Sequence, residues 1–137
     1  MCFEEIIFVF MFLDIHTHNI SSSSSSVLNI IVGRDVLSVG NKFSLGIHPW
    51  YINDVKYQVS LLKTELDKEN SNFLFIGECG LDKVKGVQYG EQEEVFRKQI
   101  KFSEDYKKPL IIHCVKSYNE LIKLKKELKP TQPWIIH

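Results

Sequence analysis

From Phe43 to the end of the chain, short apolar runs alternate with amphipathic stretches. That alternation is the signature of consecutive strand–helix units and a parallel sheet, and it constrains the fold more than any other feature. The runs Phe43–His48, Phe73–Glu78, Leu110–Cys114 and Trp134–His137, with an earlier one at Phe12–His16, are nearly continuous in apolar residues, as strands covered on both faces should be. Pro109 and Pro133 stand at or just before the last two starts, where a missing N–H does least harm. Between the runs, Val55, Val59, Leu62 and Leu66 mark one face of a helix from about Asp54 to Lys68. Phe96, Ile100 and Ser103, with Tyr106 or Tyr89, trace a weaker face on a second. Ser117 and Glu120 fit a capping box for a third, on which Leu121, Leu124 and Leu128 form one stripe.

The stretch from His18 to Phe43 follows another pattern. The serines Ser21 to Ser26 form a low-complexity loop, and Val27 to Val32 reads as a sixth strand ending at Gly33. The link from there to Phe43 is short for a parallel crossover, which leaves the pairing of this strand open. Residues 1–10, ahead of Met11, read as an N-terminal extension, and residues 11–137 as part of a single domain. The apolar run Ile6 to Leu13 falls well short of the ~20 residues that cross a bilayer. Glu4 and Glu5 occupy the place of a cationic signal-peptide region, so neither a membrane partner nor a secretory leader is expected.

Lys and Arg total 17, as do Asp and Glu, so the net charge is +0 and no basic surface is available to hold a long nucleic acid by counterion release alone. Any bound phosphate needs a local site. Three widely spaced cysteines, Cys2, Cys79 and Cys114, form no CxxC pair and read as reduced thiols, which implies a cytoplasmic protein.

Nearly every run ends in a residue able to bind a metal or handle a proton: Asp14, His16 and His18 after the first, then His48, Glu78, His113 and His137. In parallel α/β folds the ligand site lies at the carboxyl ends of the strands, so these side chains are expected on one rim. His16-Thr17-His18 has two imidazoles at i and i+2, on one side of an extended strand. A lone H-x-H is weak evidence, and a lone Glu78 reads most simply as a salt-bridged strand end. All five histidines of the chain at such positions is a different matter. Nucleophile-elbow, phosphate-loop and dinucleotide-binding motifs are missing from the sequence. A Cys79 or Cys114 nucleophile stays open, although cysteine is commonly just a small buried apolar residue. The lysines from Lys123 to Lys129 read as a solvated helix face.

In order, Asp14-Ile15-His16-Thr17-His18, Gly46-Ile47-His48-Pro49-Trp50, Ile76 to Asp82, Gln92 through Phe96 to Gln99, Pro109 to Cys114 and Trp134 to His137 resemble the successive motifs of the TatD family of metal-dependent hydrolases. The resemblance implies a TIM-type (β/α)8 barrel with two divalent ions, Mg2+, Mn2+ or Zn2+, at its rim, and a DNase acting on DNA or a small phosphodiester. Carried over residue by residue, it implies that His16 and His18 hold one metal, that His113 and His137 hold the other, and that Glu78 bridges the pair. His48 is implied as a non-ligand facing the phosphate or the leaving oxygen, with Trp50 and Lys116 on the substrate side. Asp82 and Asp14 are implied as supports that orient ligands. Ester or amide hydrolysis is the alternative chemistry, and no obligate protein partner is called for.

Two departures qualify the resemblance. The link between the His18 and His48 strands is short and serine-rich, so a loop is expected in place of the first crossover helix. The sequence also ends at His137, whereas relatives continue to a later strand bearing an Asp ligand, and a full barrel takes about 250 residues. An incomplete barrel of about six of eight strands is therefore expected. The 137 residues alone are expected to behave as a non-catalytic, association-prone fragment.

Overall fold

Six of the apolar runs form strands, and all six pair in parallel, in the order in which they occur in the chain. The computed structural model describes residues 14–19, 26–36 and 40–137. The expected extension 1–10, Cys2, the first residues Phe12 and Leu13 of the opening strand, and Ser21 to Ser25 lie outside the described residues. The strands are β1 (Asp14–Thr17), β2 (Ser26–Ile31), β3 (Phe43–Gly46), β4 (Phe73–Asp82), β5 (Leu110–Val115) and β6 (Trp134–Ile136). The helices are α1 (Val55–Asp67), α2 (Tyr89–Tyr106) and α3 (Tyr118–Leu128), with a short 3-10 turn at Pro49–Tyr51.

The strand of open pairing, β2, takes the place between β1 and β3, with Leu28 opposite Phe43 and Ile31 opposite Gly46. No helix lies between β2 and β3 among the described residues. The chain turns back at once, the amides of Arg34 and Asp35 donating to the Ile31 carbonyl at 3.1 and 3.0 Å while the Asp35 carboxylate accepts the Ile31 N–H at 2.9 Å. This turn ends β2, and no crossover helix follows it among the described residues. Every residue of β2 and β3 is buried, as their composition requires.

Helix α1 begins where Asp54 caps it, its carboxylate accepting the Tyr57 N–H at 2.9 Å. Asp54→Ala is expected to cost about 1 kcal/mol, read as a shift in the denaturant midpoint with an unchanged slope. The capping box expected on α3 does not form. Ser117 occupies the N-cap but donates its hydroxyl to the Val115 carbonyl at 2.9 Å, and Glu120 reaches instead to Lys83. Of the expected α3 stripe, Leu121 and Leu124 are buried and Leu128 is exposed, because the helix ends there.

The buried face of α2 carries Val95, Phe96 and Ile100, but also Gln92, Gln99 and Ser103. The two glutamines tie the helix to the strands that carry the site. The Gln99 amide accepts the Ile47 N–H at 2.8 Å and donates to the Ile47 carbonyl at 3.1 Å, and Gln92 does the same for Asp82 at 2.8 and 3.0 Å. Gln58 of α1 plays a similar part, donating to the carbonyls of Val32 and Tyr51. Where strands end beneath helices, backbone groups lose their ladder partners. A buried amide on the helix supplies both a donor and an acceptor there, which an apolar residue cannot do.

Candidate metal centre

The parallel order sends every strand's carboxyl end to one rim, and the polar residues meet there. Glu78 lies inside β4 and not at its end, as β4 continues to Asp82, and His113 likewise lies inside β5. This corrects the expectation of strand-end positions for both, since β4 and β5 stay paired from Cys79–Ile112 to Asp82–Val115. His16 lies within β1, His48 two residues past β3, and His137 directly after β6.

All five imidazoles surround one carboxylate. Glu78 Oε2 is 3.3 Å from His16 Nε2, 3.9 Å from His18 Nε2 and 3.7 Å from His48 Nε2. Its Oε1 is 3.0 Å from His113 Nδ1 and 3.5 Å from His137 Nδ1. The Glu78 side chain is only 5% exposed. Burial pushes its carboxyl up, and the imidazoles of His113, His16 and His48 more than reverse this, holding it well below the usual carboxylate range. The group is an anion in a ring of nitrogen donors. A cleft of about 530 Å3 opens onto it, lined by His18, His48, Trp50, Tyr51, His113 and His137 among others.

Whether these residues suit divalent ions can be read from their unmet valences. Both ring nitrogens of His16 are buried and neither makes a well-directed hydrogen bond to a described residue, Nε2 having only the Glu78 carboxylate at 3.3 Å, a costly arrangement unless something binds them. His113 is more specific. Its Nε2 lies 2.8 Å from Asp82 Oδ2, and the Asp82 carboxylate accepts as well from Trp50 Nε1 at 2.7 Å and from the amides of Val84 and Lys85 at 2.7 and 2.9 Å. Asp82 is buried, which opposes ionisation, yet the donation from His113, Trp50 and these amides brings its carboxyl down to about 2. An ionised Asp82 requires a proton on His113 Nε2. Nδ1 then faces the Glu78 carboxylate with its lone pair, a contact that demands a second proton or a cation. The carboxylate–histidine pairing is the usual support of a metal-binding imidazole.

Two clusters of ligand atoms, each within 4.8 Å, meet these requirements: His16, His18 and Glu78, and His48, Glu78 and His113. Tautomers remove His48 from the second. Its Nδ1 accepts the Trp50 backbone N–H at 3.1 Å, and a backbone N–H can only donate. The neutral ring therefore keeps its proton on Nε2, the atom aimed at Glu78, and that atom is a donor. His137, with Nδ1 as near to Glu78 and its ring 4.1 Å from that of His16, has no such obligation.

The remaining expected residues divide. Trp50 lines the cleft, its indole N–H held by Asp82 and Lys85 Nζ 3.7 Å above its ring. Asp14 accepts the His16 backbone N–H at 3.1 Å. Lys116 is exposed past β5 and is not among the residues lining the cleft. Cys79 and Cys114 are buried, and burial pushes both thiols up, which disfavours the thiolate that a nucleophile needs. Asn29 of β2 was not singled out from the sequence. Its buried Oδ1 accepts the Glu78 N–H at 2.8 Å and the Ser44 hydroxyl at 3.1 Å, fixing the backbone beneath the central carboxylate. An asparagine inside an otherwise apolar strand was the available signal.

No helix among the described residues is long and apolar enough to cross a membrane. A family model described as TatD related DNase matches residues 14–137. A protein of Buchnera aphidicola subsp. Baizongia pistaciae, named a metal-dependent hydrolase, is 34% identical over 116 residues, covering 82% of this chain and 43% of its own length. A Mycoplasma genitalium protein with the same designation is 35% identical over 103 residues, covering 70% and 38%. The crystal structure of YJJV, a TatD homolog of Escherichia coli K12, matches with a TM-score of 0.70 at 20% identity, over 82% of this chain and 47% of that one. The chain thus spans less than half the length of these relatives, and its six parallel strands with their helices correspond to an incomplete TIM-type barrel. With the ordered motifs, the half-barrel and the family match running together from Asp14 to His137, the chain belongs to the TatD-related DNase family.

Proposed function

We propose that the full-length protein is a two-metal hydrolase of phosphodiesters, with DNA as its substrate and the cytoplasm as its compartment. The observation that carries this reading is the ring of five imidazoles around the buried Glu78 carboxylate. His16 and His18 would hold one divalent ion, His113 and His137 the other, and Glu78 would bridge them. Ions bound there would make a coordinated water acidic and offset charge on the attacked phosphate. Mg2+, Mn2+ and Zn2+ are the candidates.

The chain's own groups divide the remaining work. Glu78, whose carboxyl the surrounding imidazoles hold below the usual range, keeps its charge for the bridging role. Asp82 fixes the His113 tautomer so that Nδ1 presents a lone pair. His48 holds a proton on Nε2 and donates it as a hydrogen bond to a phosphate oxygen or to the leaving oxygen. Because Asn keeps an acceptor oxygen for the Val84 and Lys85 amides but loses the charge that holds His113, Asp82→Asn is expected to weaken metal binding by about 10- to 100-fold in titration calorimetry while leaving the fold intact by circular dichroism.

The test is hydrolysis by the full-length protein of single-stranded DNA and of a panel of carboxylic esters and amides, with each of the three ions. Metal-dependent release of nucleotides is the expected result. Ester or amide turnover without nuclease activity would overturn the reading.

A further inference from the structure

Arg34 follows β2 at the same rim as the histidines, just past Gly33, and lines the cleft that holds Glu78, His48 and His113. Among the described residues lining that cleft it is the one arginine or lysine. It also borders two smaller cavities beside the cleft, one formed with Trp50 and Tyr51 and one with His18 and Asp35.

Its guanidinium sits on an aromatic ring with one carboxylate at the edge of ion-pair range. The guanidinium carbon sits 4.6 Å from the centre of the Tyr51 ring, within range of a cation–aromatic contact. The nearest carboxylate, Asp35, lies 3.8 Å from Nε, too far for a hydrogen bond, and its other oxygen already accepts the Ile31 N–H. Tyr51 is itself anchored, its N–H donating to the His48 carbonyl at 3.0 Å and its carbonyl accepting from Gln58. The Tyr51 ring lies 5.5 Å from that of His48. With the guanidinium carbon over the Tyr51 ring, its N–H edge donates no hydrogen bond to a described residue. Such an edge suits the paired oxygens of a phosphate, and the aromatic seat lowers the entropy lost on binding. Lys116, the cation expected in this role, is outside the cleft.

We propose that Arg34, seated on Tyr51, binds a second phosphate next to the one being cleaved, so that the site selects oligonucleotides over isolated phosphodiesters. This rests on the phosphodiester reading above. It makes Arg34 a substrate-binding residue and requires a substrate with at least two linked phosphates. The small positive inventory of the cleft matches a short or end-bound strand better than a long duplex footprint.

Two measurements on the full-length protein and its Arg34→Ala and Arg34→Lys variants test this. The Arg34 side chain is 51% exposed, so neither change threatens the fold. In EDTA, where no cleavage intervenes, fluorescence anisotropy of a labelled short single-stranded oligodeoxynucleotide is expected to show about tenfold weaker binding for Arg34→Ala. The slope of log affinity against log salt should shrink by about 0.7, with Arg34→Lys in between. With metal, kcat/KM for the oligonucleotide should fall about tenfold, mainly through KM, while that for bis(para-nitrophenyl) phosphate stays within about twofold. Equal losses on both substrates, or unchanged oligonucleotide binding and turnover, would overturn the proposal. Arg34-dependent binding without cleavage of either substrate would support the phosphate subsite and refute the hydrolytic reading. Cleavage of the simple diester with Arg34-independent oligonucleotide binding would do the reverse.

Discussion

Glu78→Gln is expected to remove at least one of two equivalents of divalent ion in titration calorimetry and to lower phosphodiester hydrolysis by the full-length protein about 1,000-fold or more. Each histidine of the cluster can serve one ion, whereas the Glu78 carboxylate has one oxygen toward His113 and His137 and the other toward His16, His18 and His48. Gln keeps the volume and one acceptor oxygen. It loses the charge, and its amide N–H groups would face imidazole nitrogens meant to carry lone pairs. No other single change removes a ligand from both sides at once. Binding of two equivalents with unchanged affinity by Glu78→Gln would show that the bridging assignment is wrong.

Gly77→Ala should unfold or strongly destabilise the protein, by about 3 kcal/mol or more. A Cβ at Gly77 would sit 2.3 Å from the Ile111 carbonyl oxygen, a backbone atom of the neighbouring strand that cannot turn aside, and the residue holds φ at +143°. The sheet would have to part between β4 and β5 under the Glu78 carboxylate. Gly90→Ala is the matched control. Gly90 lies in α2 with nothing within 4 Å of an added Cβ, so the same substitution there should stabilise by about 0.5–1 kcal/mol. Thermal or denaturant unfolding of the two variants checks both signs, and a Gly77→Ala protein as stable as the parent would contradict the close approach of β4 to β5.

Much of the fold was legible because local periodicity reports local burial. The apolar runs ending at His48, Cys114 and His137 lie on strands, and the stripe Leu62 and Leu66 lies inward on α1. The ordered motifs from Asp14 to His137 were enough to reach the family, since each stands at the same rim of the same kind of sheet. The capping box on α3 misled for a local reason: the Ser117 hydroxyl found the Val115 carbonyl closer than the helix amide, and Glu120 found Lys83.

What the sequence by itself determined, then, is the α/β class, the parallel direction and the set of histidines and carboxylates that gather at one rim. Only the tertiary structure decided which of those atoms meet and in what protonation state. The insertion of β2 between β1 and β3 brought Asn29 onto the Glu78 amide across 49 positions of chain. The chain bend after β3 turned the Trp50 amide onto His48 Nδ1 and so assigned its proton to Nε2. The same bend set Tyr51 under Arg34, while Lys116, past β5, lies outside the cleft. These contacts depend on strand register and on the angles of short turns. Residue spacing along one element carries no information about either, because the free energy that sets them is shared among groups far apart in the chain.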